Sequence, residues 1–522
     1  MASGEKQEAV FDLIKSMTKA EKRNFKLYAT RLAGNQEAKF IALFDCLDTL
    51  EEYDEGKVLQ KCPVKKEQLP NMKAHLYKQI LVSLRLLGVQ HSMPIQLREQ
   101  LDFARILYDK GLYRQSSKIL EKTREQASAT QQHTILLDVI DFQKQIETLN
   151  VSRGMASLAE SFHRQTADIC RQIENINTLS STALQIFSLY QKLGYVRTQK
   201  DLDLIDQYFR PRLAVYTERS LSFLERFYYF QAMAWFHYIR HDFVRCYLYA
   251  CRWIALFDAH PQMKPLMYDN YLKGYSRLLE GLFLMRKYHT LVDTLARFEK
   301  ECREIGSVNE NAVVISRQII YTGHIHRCFL EGGFREGIRL VEEVETFLRK
   351  HSKHINLHQK MLMYYKIACL YFGDGNYSKC MEYLARITGT KDPQIRRDLQ
   401  CYAKILNLIA SYEAGIDYNL DYQIRSVYSF IVKMNDMQEV QREMLAFLKK
   451  LNSIYAHNLK DELRVLYQRL KPYENHPYER RTFYYLDILS WLESKITGRT
   501  VGEIIREKFR REQRKPLAER DV

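Results

Sequence analysis

The sequence is poor in residues that break helices. Among its 522 residues there are 20 glycines and 10 prolines, about half of ordinary usage, which is near 7% and 5%. A β-sandwich needs turn residues roughly every ten positions, and collagen-like or low-complexity chains need far more of both residues. These classes are therefore excluded. The content of 46% hydrophobic and 12% aromatic residues is enough for a large packed core and predicts a helix-rich fold.

Cysteine pairs and long apolar runs are also missing. The ten cysteines form no C-x-x-C pair, and most stand at apolar helix positions, which is typical of reduced thiols in a cytoplasm rather than of a disulfide framework. The most apolar stretch, from Phe227 to Ile239, contains Gln231 and His237, so it predicts a buried helix and not a membrane span. The first residues lack the apolar segment of a signal peptide. We therefore expect a cytoplasmic protein without membrane contact.

Sequence motifs of common catalytic and cofactor sites do not occur. There is no G-x-x-x-x-G-K-[ST] loop, no G-x-G-x-x-G, no H-E-x-x-H and no G-x-S-x-G. The few glycines are nearly all isolated, so no loop is rich enough in them to cradle a nucleotide. These absences favour a non-enzymatic protein without a cofactor.

One group of histidines has a spacing that suits a metal. His351, His354 and His358 would share one face of a continuous helix, an arrangement that transition metals accept. Ser352 and Asn356 favour a loop there instead, which would separate the rings. We therefore expect surface or junction histidines and no metal.

A short motif recurs along the chain and predicts pairs of helices. In five places an aromatic residue is followed by small or apolar residues three, seven and ten positions later, which lie on one face of a helix. A glycine often precedes the aromatic residue and tolerates the left-handed backbone of a tight turn. The motifs are Gly111-Leu112-Tyr113, His241-Asp242-Phe243, Arg286-Lys287-Tyr288, Gly332-Gly333-Phe334 and Gly375-Asn376-Tyr377. Gly375→Val is expected to destabilise the protein more than Gly498→Val, because Gly498 is assigned to a polar exposed turn.

The motif resembles one half of the tetratricopeptide repeat, which implies a right-handed superhelix of antiparallel helix pairs. Phe243, Tyr288, Phe334 and Tyr377 lie 45, 46 and 43 positions apart, whereas that family's period is about 34. Longer helices or loops must therefore absorb about ten residues per repeat. Weaker copies are placed at Gly154, Gly194 and Gly415. With them, about eight helix pairs are expected over residues 97–435.

The ends of the chain carry no copy of the motif and predict separate elements. Near the N-terminus, Thr18 and Glu21 have the spacing of a capping box. A solenoid needs an end piece over its last apolar face, and the segment from Arg480 to Lys495 suits that role. The final residues predict a fraying helix and a disordered end. The expected domains are an N-terminal helical module at 1–92, the helical-hairpin repeats at 93–435, C-terminal capping helices at 436–498 and a charged tail at 499–522.

The chain carries an excess of positive charge, which raises nucleic acid as a partner. The net charge of +16 is spread along the sequence, whereas strong nucleic-acid binders concentrate it in a stripe. The segment from Asp54 to Leu84 has the outline of a helix-turn-helix but lacks the glycine often seen in that turn. Nucleic-acid binding is therefore not favoured, but a transcriptional or signalling regulator remains the second hypothesis for function. Its N-terminal module would contact DNA and its repeats would sense a peptide, as in some bacterial tetratricopeptide regulators.

The concave side of the repeats is the leading candidate for a binding surface. Alignment of the motifs on their aromatic residues places Arg and Lys together with Tyr and Trp at the positions that face this side in the tetratricopeptide family, a mixture enriched in binding hot spots. The paired asparagines with which several family members hold a peptide carboxylate are absent. The candidate groove residues are Arg98, Asp102, Arg105, Tyr228, Gln231, Trp235, Lys273, Arg277, Tyr365 and Lys366. The leading hypothesis is a scaffold or adaptor that binds a protein or peptide partner in this groove.

Overall fold

The protein is all-α, as the composition predicts. The computed structural model describes residues 2–31, 36–62, 64–88, 92–149, 155–306, 309–390, 395–416, 420–433, 437–451, 455, 457–483, 485 and 487–514. Helices account for 83% of the residues in these ranges, and no strand occurs in them. Within them, no helix is both long and apolar enough to cross a membrane. The chain divides into two compact units, Met1–Cys170 and Arg171–Val522.

The first unit begins with five helices around one apolar core, which contains Ile14, Phe25, Phe44 and Leu76. The predicted capping box is present, because the Glu21 N–H donates to Thr18 Oγ1 and the Thr18 N–H donates to the Glu21 carboxylate. The helices of this unit are α1 (Ala2–Ser16), α2 (Lys19–Ala29), α3 (Gln36–Thr49), α4 (Glu55–Lys61), α5 (Leu69–Gly88), α6 (Met93–Asp109), α7 (Tyr113–Ala129) and α8 (His133–Glu147).

The segment with the outline of a helix-turn-helix consists of the short α4 and the longer α5. Val58 of α4 and Leu76 and Ile80 of α5 are fully buried in the core of the unit. Lys73 of α5 is also buried, and its Nζ lies 3.7 Å from a carboxylate oxygen of Glu55. The two helices therefore pack against each other and against the core through these faces.

One helix, α9 (Met155–Leu193), runs across the boundary between the units. Its 39 residues fill the stretch between the weak copies of the motif at Gly154 and Gly194. The repeat pattern predicts two helices with a break between them in this stretch, and that prediction is wrong because α9 is continuous. The weak copy at Gly154 lies outside the described residues. The weak copy at Gly194 does mark a turn, since Gly194 has a φ of +79° and α9 ends before it.

The second unit is an array of helix pairs in which neighbouring helices contact each other. In all four motifs of this unit, as in the first motif, the second helix begins at the aromatic residue. The helices are α10 (Gln199–Ala214), α11 (Phe223–Ile239), α12 (Phe243–Asp258), α13 (Met263–Leu266), α14 (Tyr268–Leu284), α15 (Tyr288–Ile305), α16 (Glu310–Glu331), α17 (Phe334–Arg339), α18 (Val341–Lys350), α19 (Leu357–Gly373), α20 (Tyr377–Thr388), α21 (Arg397–Glu413) and α22 (Leu420–Lys433), with a 3₁₀ turn at Glu218–Ser220.

The turns of these pairs share a left-handed residue two positions before the aromatic ring. At Gly375 φ is +84°, and the Asn376 N–H donates to the Tyr371 carbonyl at 2.9 Å, a Schellman closure of α19. The aromatic ring then fills the junction of the two helices. A Cβ on Gly373 would come within 2.4 Å of the Phe334 ring, so one helix leaves room for the aromatic residue of the pair before it.

The predicted contrast between Gly375 and Gly498 does not hold at the level of the backbone. Gly498 is exposed, as expected, but it ends a helix with a φ of +74°. A Cβ at either glycine would meet no atom within 4 Å. Both positions are therefore strained by a side chain for the same reason, the left-handed φ.

The C-terminal helices do more than cover the end of the array. The helices are α23 (Glu439–Lys450), α24 (Leu459–Leu470), α25 (Ile488–Thr497) and α26 (Val501–Arg514), with 3₁₀ helices at Lys471–Asn475 and Glu479–Phe483. The expectation of a fraying tail is wrong for α26, which buries Val501, Ile504 and Ile505 and packs against α16. Phe509 of α26 meets the Tyr288 ring at a centroid distance of 4.6 Å.

Candidate functional site

The second unit contains a cavity of about 460 Å³. Most of its lining residues come from α9, α11, α14, α16 and α19, that is, from the end of α9 and the first helices of the successive pairs, and Trp253 of α12 also lines it. Five of the candidate groove residues line it together: Gln231, Trp235, Lys273, Arg277 and Lys366. The other lining residues are mostly apolar or uncharged polar side chains, such as Phe187, Leu184 and Thr322. The cavity is therefore an apolar chamber that carries a small number of charges.

The spacing along α14 explains why its charged residues face the same space. Lys273, Arg277 and Glu280 follow one another at intervals of four and three, which places them on one face of the helix. Lys273 is exposed, Arg277 is partly buried and Glu280 is buried. Along this face the charges therefore run from the mouth of the cavity to its floor.

Glu280 at the floor is held by two tyrosine hydroxyls and a lysine. Tyr485 donates to Glu280 Oε1 at 3.0 Å and Tyr238 donates at 3.4 Å. Glu280 Oε2 lies 3.9 Å from Lys366 Nζ. Burial opposes ionisation of this carboxyl, but the neighbouring cations Lys366 and Arg277 outweigh it and lower the pKa of Glu280 to about 2. The carboxylate is therefore ionised at neutral pH.

Two buried histidines beside the floor are neutral. The His326 ring stacks on Phe283 at a centroid distance of 3.8 Å, and neither ring nitrogen has a hydrogen-bond partner within the described part of the chain. Burial, assisted by the Lys366 cation, moves the pKa of His326 well below its ordinary value. Burial and the Arg396 cation lower the pKa of His358 to about 3. Neither ring contributes positive charge near pH 7.

Arg277 is held by aromatic rings rather than by a carboxylate. Its guanidinium carbon lies 4.4 Å from the Trp235 ring centroid and 4.7 Å from that of Tyr238. Its Nη1 atom is buried and has no hydrogen-bond partner among the described residues. Trp253, which also lines the cavity, likewise has a buried indole N–H without a partner in those ranges. The cavity wall thus carries hydrogen-bond donors that the described chain does not satisfy.

A second buried ion pair lies next to the cavity. Arg396 binds Asp398 through two parallel hydrogen bonds of 2.8 Å, and it also donates to the Tyr190 hydroxyl at 3.2 Å. A Cβ on Gly194 would come within 2.4 Å of the Asp398 carboxylate, so the turn after α9 needs a glycine to approach this pair. The Arg396 charge is therefore neutralised locally.

The predicted histidine cluster is separated in the structure. His351 and His354 lie in the loop after α18, whereas His358 is buried in α19 and meets the Tyr190 ring edge-on. The Glu310 carboxylate instead joins the first two, and the three ligand atoms lie within 4.8 Å of one another. Tetrahedral zinc with bonds of about 2.0–2.1 Å would draw its ligands closer than this. These three residues are the group that could hold an ion after such a contraction.

The remaining candidate groove residues are not among the lining residues of this cavity. Tyr228 is partly buried against the Phe227 ring, and Tyr365 is buried in the core of the unit. Arg98, Asp102 and Arg105 are exposed on α6 in the first unit. Arg105 lies over the Phe142 ring at 3.9 Å, and Asp102 lies 3.7 Å from Arg85. The structure thus brings together the candidates from α11, α14 and α19, with Tyr228 and Tyr365 excepted.

The contribution of the C-terminal segment was not predictable from the sequence. Tyr485 follows the Glu479–Phe483 turn, which the repeat pattern assigns to an end cap, yet its hydroxyl reaches Glu280 on α14. Arg480 of the same segment donates to the His241 carbonyl at 2.7 Å. No local pattern links positions that are some two hundred residues apart. The contacts of the Arg396–Asp398 pair with Tyr190 and Gly194 were missed for the same reason.

Comparison of the chain with protein-family models, with curated proteins and with solved structures finds no match.

Proposed function

We propose that the protein is a non-enzymatic scaffold or adaptor whose second unit binds an extended segment of a protein or peptide partner. The observation that carries the proposal is the cavity between α9, α11, α14, α16 and α19, with its unsatisfied donors on Arg277 and Trp253. The likeness of the five motifs to the tetratricopeptide repeat supports it, because that resemblance implies a superhelix with a concave binding face. The location proposed is the cytoplasm, consistent with ten cysteines that form no disulfide among the described residues, seven of them buried.

The size and lining of the cavity suit a few side chains of a peptide. Its volume of about 460 Å³ falls within the range of about 300–1,000 Å³ that is typical of ligand sites. Trp235, Phe187 and Leu184 offer apolar surface, and Gln231 and Thr322 offer hydrogen bonds. Aromatic side chains on rigid helices lose little conformational entropy on binding, which makes them effective contact residues.

The chemistry of the charged lining residues favours binding over catalysis. A general base works best with a pKa near the operating pH, whereas the pKa of Glu280 is lowered to about 2. His326 and His358 have pKa values far below neutrality, and His326 is covered by the Phe283 ring. These groups are fixed in one protonation state and support a role in recognition.

The experiment is a selection of peptides by the full-length chain. A library of random twelve-residue peptides is displayed and captured on the immobilised protein. Thr322→Trp places a large ring into the cavity, and Arg317→Trp places the same ring on an exposed position of the same helix. Sequence families should be enriched on the wild type and on Arg317→Trp but not on Thr322→Trp. Enrichment that is equal on all three proteins would refute a peptide site in this cavity.

A further inference from the structure

The lining of the cavity has more positive charge than its own carboxylate neutralises. Three basic residues, Lys273, Arg277 and Lys366, line the cavity, and Glu280 is the single carboxylate among the described lining residues. Lys366 is the cation nearest to Glu280, at 3.9 Å. Two positive charges, those of Lys273 and Arg277, are therefore left without an ion-pair partner within 4 Å in the described ranges. A buried or half-buried cation without a counter-charge is costly in free energy.

Arg277 is arranged to meet a ligand. The Trp235 and Tyr238 rings flank its guanidinium group, which fixes the position of the group without using its N–H donors. The buried Nη1 atom without a partner therefore has a donor to offer. A guanidinium group presents parallel N–H donors that match the two oxygens of a carboxylate.

Lys273 extends the positive charge to the mouth of the cavity. It lies one helical turn from Arg277 on the same face of α14, and it is exposed. A charge at the mouth attracts an anion during its approach, and a charge on the wall holds it after water has been excluded. An anion that enters the cavity would therefore meet Lys273 first and Arg277 next.

We propose that the cavity recognises an acidic peptide and that a carboxylate of this peptide binds Arg277, with Lys273 as the second cation. This inference rests on the proposed function, because it names the chemical class of the peptide. The carboxylate can belong to an Asp or Glu side chain or to the C-terminus of the peptide. The aliphatic and aromatic lining around Leu184 and Phe187 accommodates the apolar residues beside that carboxylate.

The test uses the same peptide selection with four further full-length variants. Arg277→Gln and Lys273→Gln each remove one cation of the path. Arg303→Gln and Lys300→Gln are the matched controls, because both residues are on α15, outside the cavity, with side chains 72% exposed. Wild type and controls should enrich peptides rich in Asp and Glu. The two cavity variants should lose this acidic preference.

Isothermal titration calorimetry with one selected peptide then measures how much each substitution weakens binding. Arg277→Gln, or replacement of one acidic residue of the peptide by its amide, should weaken binding on the order of tenfold to a hundredfold, the range for a charged hydrogen bond. Both changes together should cost little more than either alone, because they remove the same contact. A peptide with an amidated C-terminus distinguishes the two sources of the carboxylate.

The outcomes separate the two proposals. In one outcome, the selected peptides need an open cavity, show no preference for Asp or Glu, and bind Arg277→Gln and the wild type equally well. This result would overturn the carboxylate site but leave the proposed peptide binding intact. Absence of any enrichment above Thr322→Trp would overturn both. If Arg277→Gln alters the circular dichroism spectrum, Lys273→Gln decides, since Lys273 is exposed and lies at the mouth.

Discussion

Replacement of Glu280 by Gln should destabilise the second unit strongly, although the two side chains have nearly the same shape. Gln can still accept the hydrogen bonds from Tyr485 and Tyr238. What it removes is the negative charge 3.9 Å from Lys366 Nζ. The variant therefore tests the charge alone, separately from packing and from the tyrosine contacts.

The magnitude follows from the burial of the lysine. Lys366 is 4% exposed, and loss of one partner of a buried ion pair costs about 3–5 kcal/mol, because the other charge stays desolvated. Burial already lowers the pKa of Lys366, and the Glu280 carboxylate opposes that shift. Without the carboxylate the lysine can lose its proton, which limits the cost. We expect a loss of about 3 kcal/mol in the free energy of unfolding.

The tryptophans of the chain make this loss measurable in one unit. The sequence has three tryptophans, Trp235, Trp253 and Trp491, and all belong to the second unit. Urea unfolding followed by tryptophan fluorescence therefore reports on that unit alone, and the shift of its midpoint at constant slope gives the change in stability.

The control is Glu382→Gln, which breaks exposed pairs with Lys379 and Arg386 and should cost less than about 1 kcal/mol. Lys366→Met introduced into Glu280→Gln should restore part of the loss, since it removes the unpaired ammonium group. Equal midpoints for Glu280→Gln and Glu382→Gln would refute the reasoning, as would a double variant that is less stable than Glu280→Gln alone.

Three further outcomes are expected. Stability should fall as pH drops below about 6.5, because burial lowers the pKa values of His326 and His358 in the folded protein and the unfolded chain therefore binds protons first. For His358, whose pKa is lowered to about 3, the loss at pH 4.5 is about 3 kcal/mol, and an unchanged pH profile of His358→Leu would contradict this. Gly375→Val and Gly498→Val should both cost about 1–2 kcal/mol, whereas a loss confined to Gly375→Val in thermal unfolding would show that the left-handed φ is not the cause. Truncation before Val501 should lower the urea midpoint, while truncation after Arg514 should not; equal midpoints would mean that α26 adds no stability.

The local parts of the fold were predictable from the sequence, because they depend on neighbouring residues. The aromatic residue that opens the second helix, the left-handed residue two positions earlier and the small residue three positions later act within one turn of the chain. At Gly337 a Cβ would come within 2.5 Å of Leu370, which is the close approach that the motif predicts. Even non-glycine residues such as Arg286, with a φ of +58°, follow the pattern.

The parts of the structure that were not predictable depend on contacts between distant positions, or on the lack of a helix-breaking residue inside a long helix. Nothing between Met155 and Leu193 requires a helix to continue, and the weak copies at Gly154 and Gly194 predicted two helices between them, yet α9 is uninterrupted. Tyr485 reaches Glu280 from another part of the chain. The periodicity of α14 could place Lys273 and Arg277 on one face of the helix, but it could not show that both lack an ion-pair partner among the described residues.

Burial of the charged residues Glu280 and Lys366 at the floor of the cavity costs free energy, which raises the question of why the second unit contains them. At other places in the array, neighbouring helices pack through apolar side chains such as Leu295 and Leu370. If Glu280 and Lys366 only stabilised the fold, apolar residues such as leucine could take their places. Well-packed apolar side chains often stabilise a protein as much as a buried ion pair does, or more. Departures from local consistency are expected at functional sites. These charges face the cavity that also holds the unpartnered donor of Arg277, so the proposed recognition of a charged ligand gives a reason for their position that apolar packing alone does not.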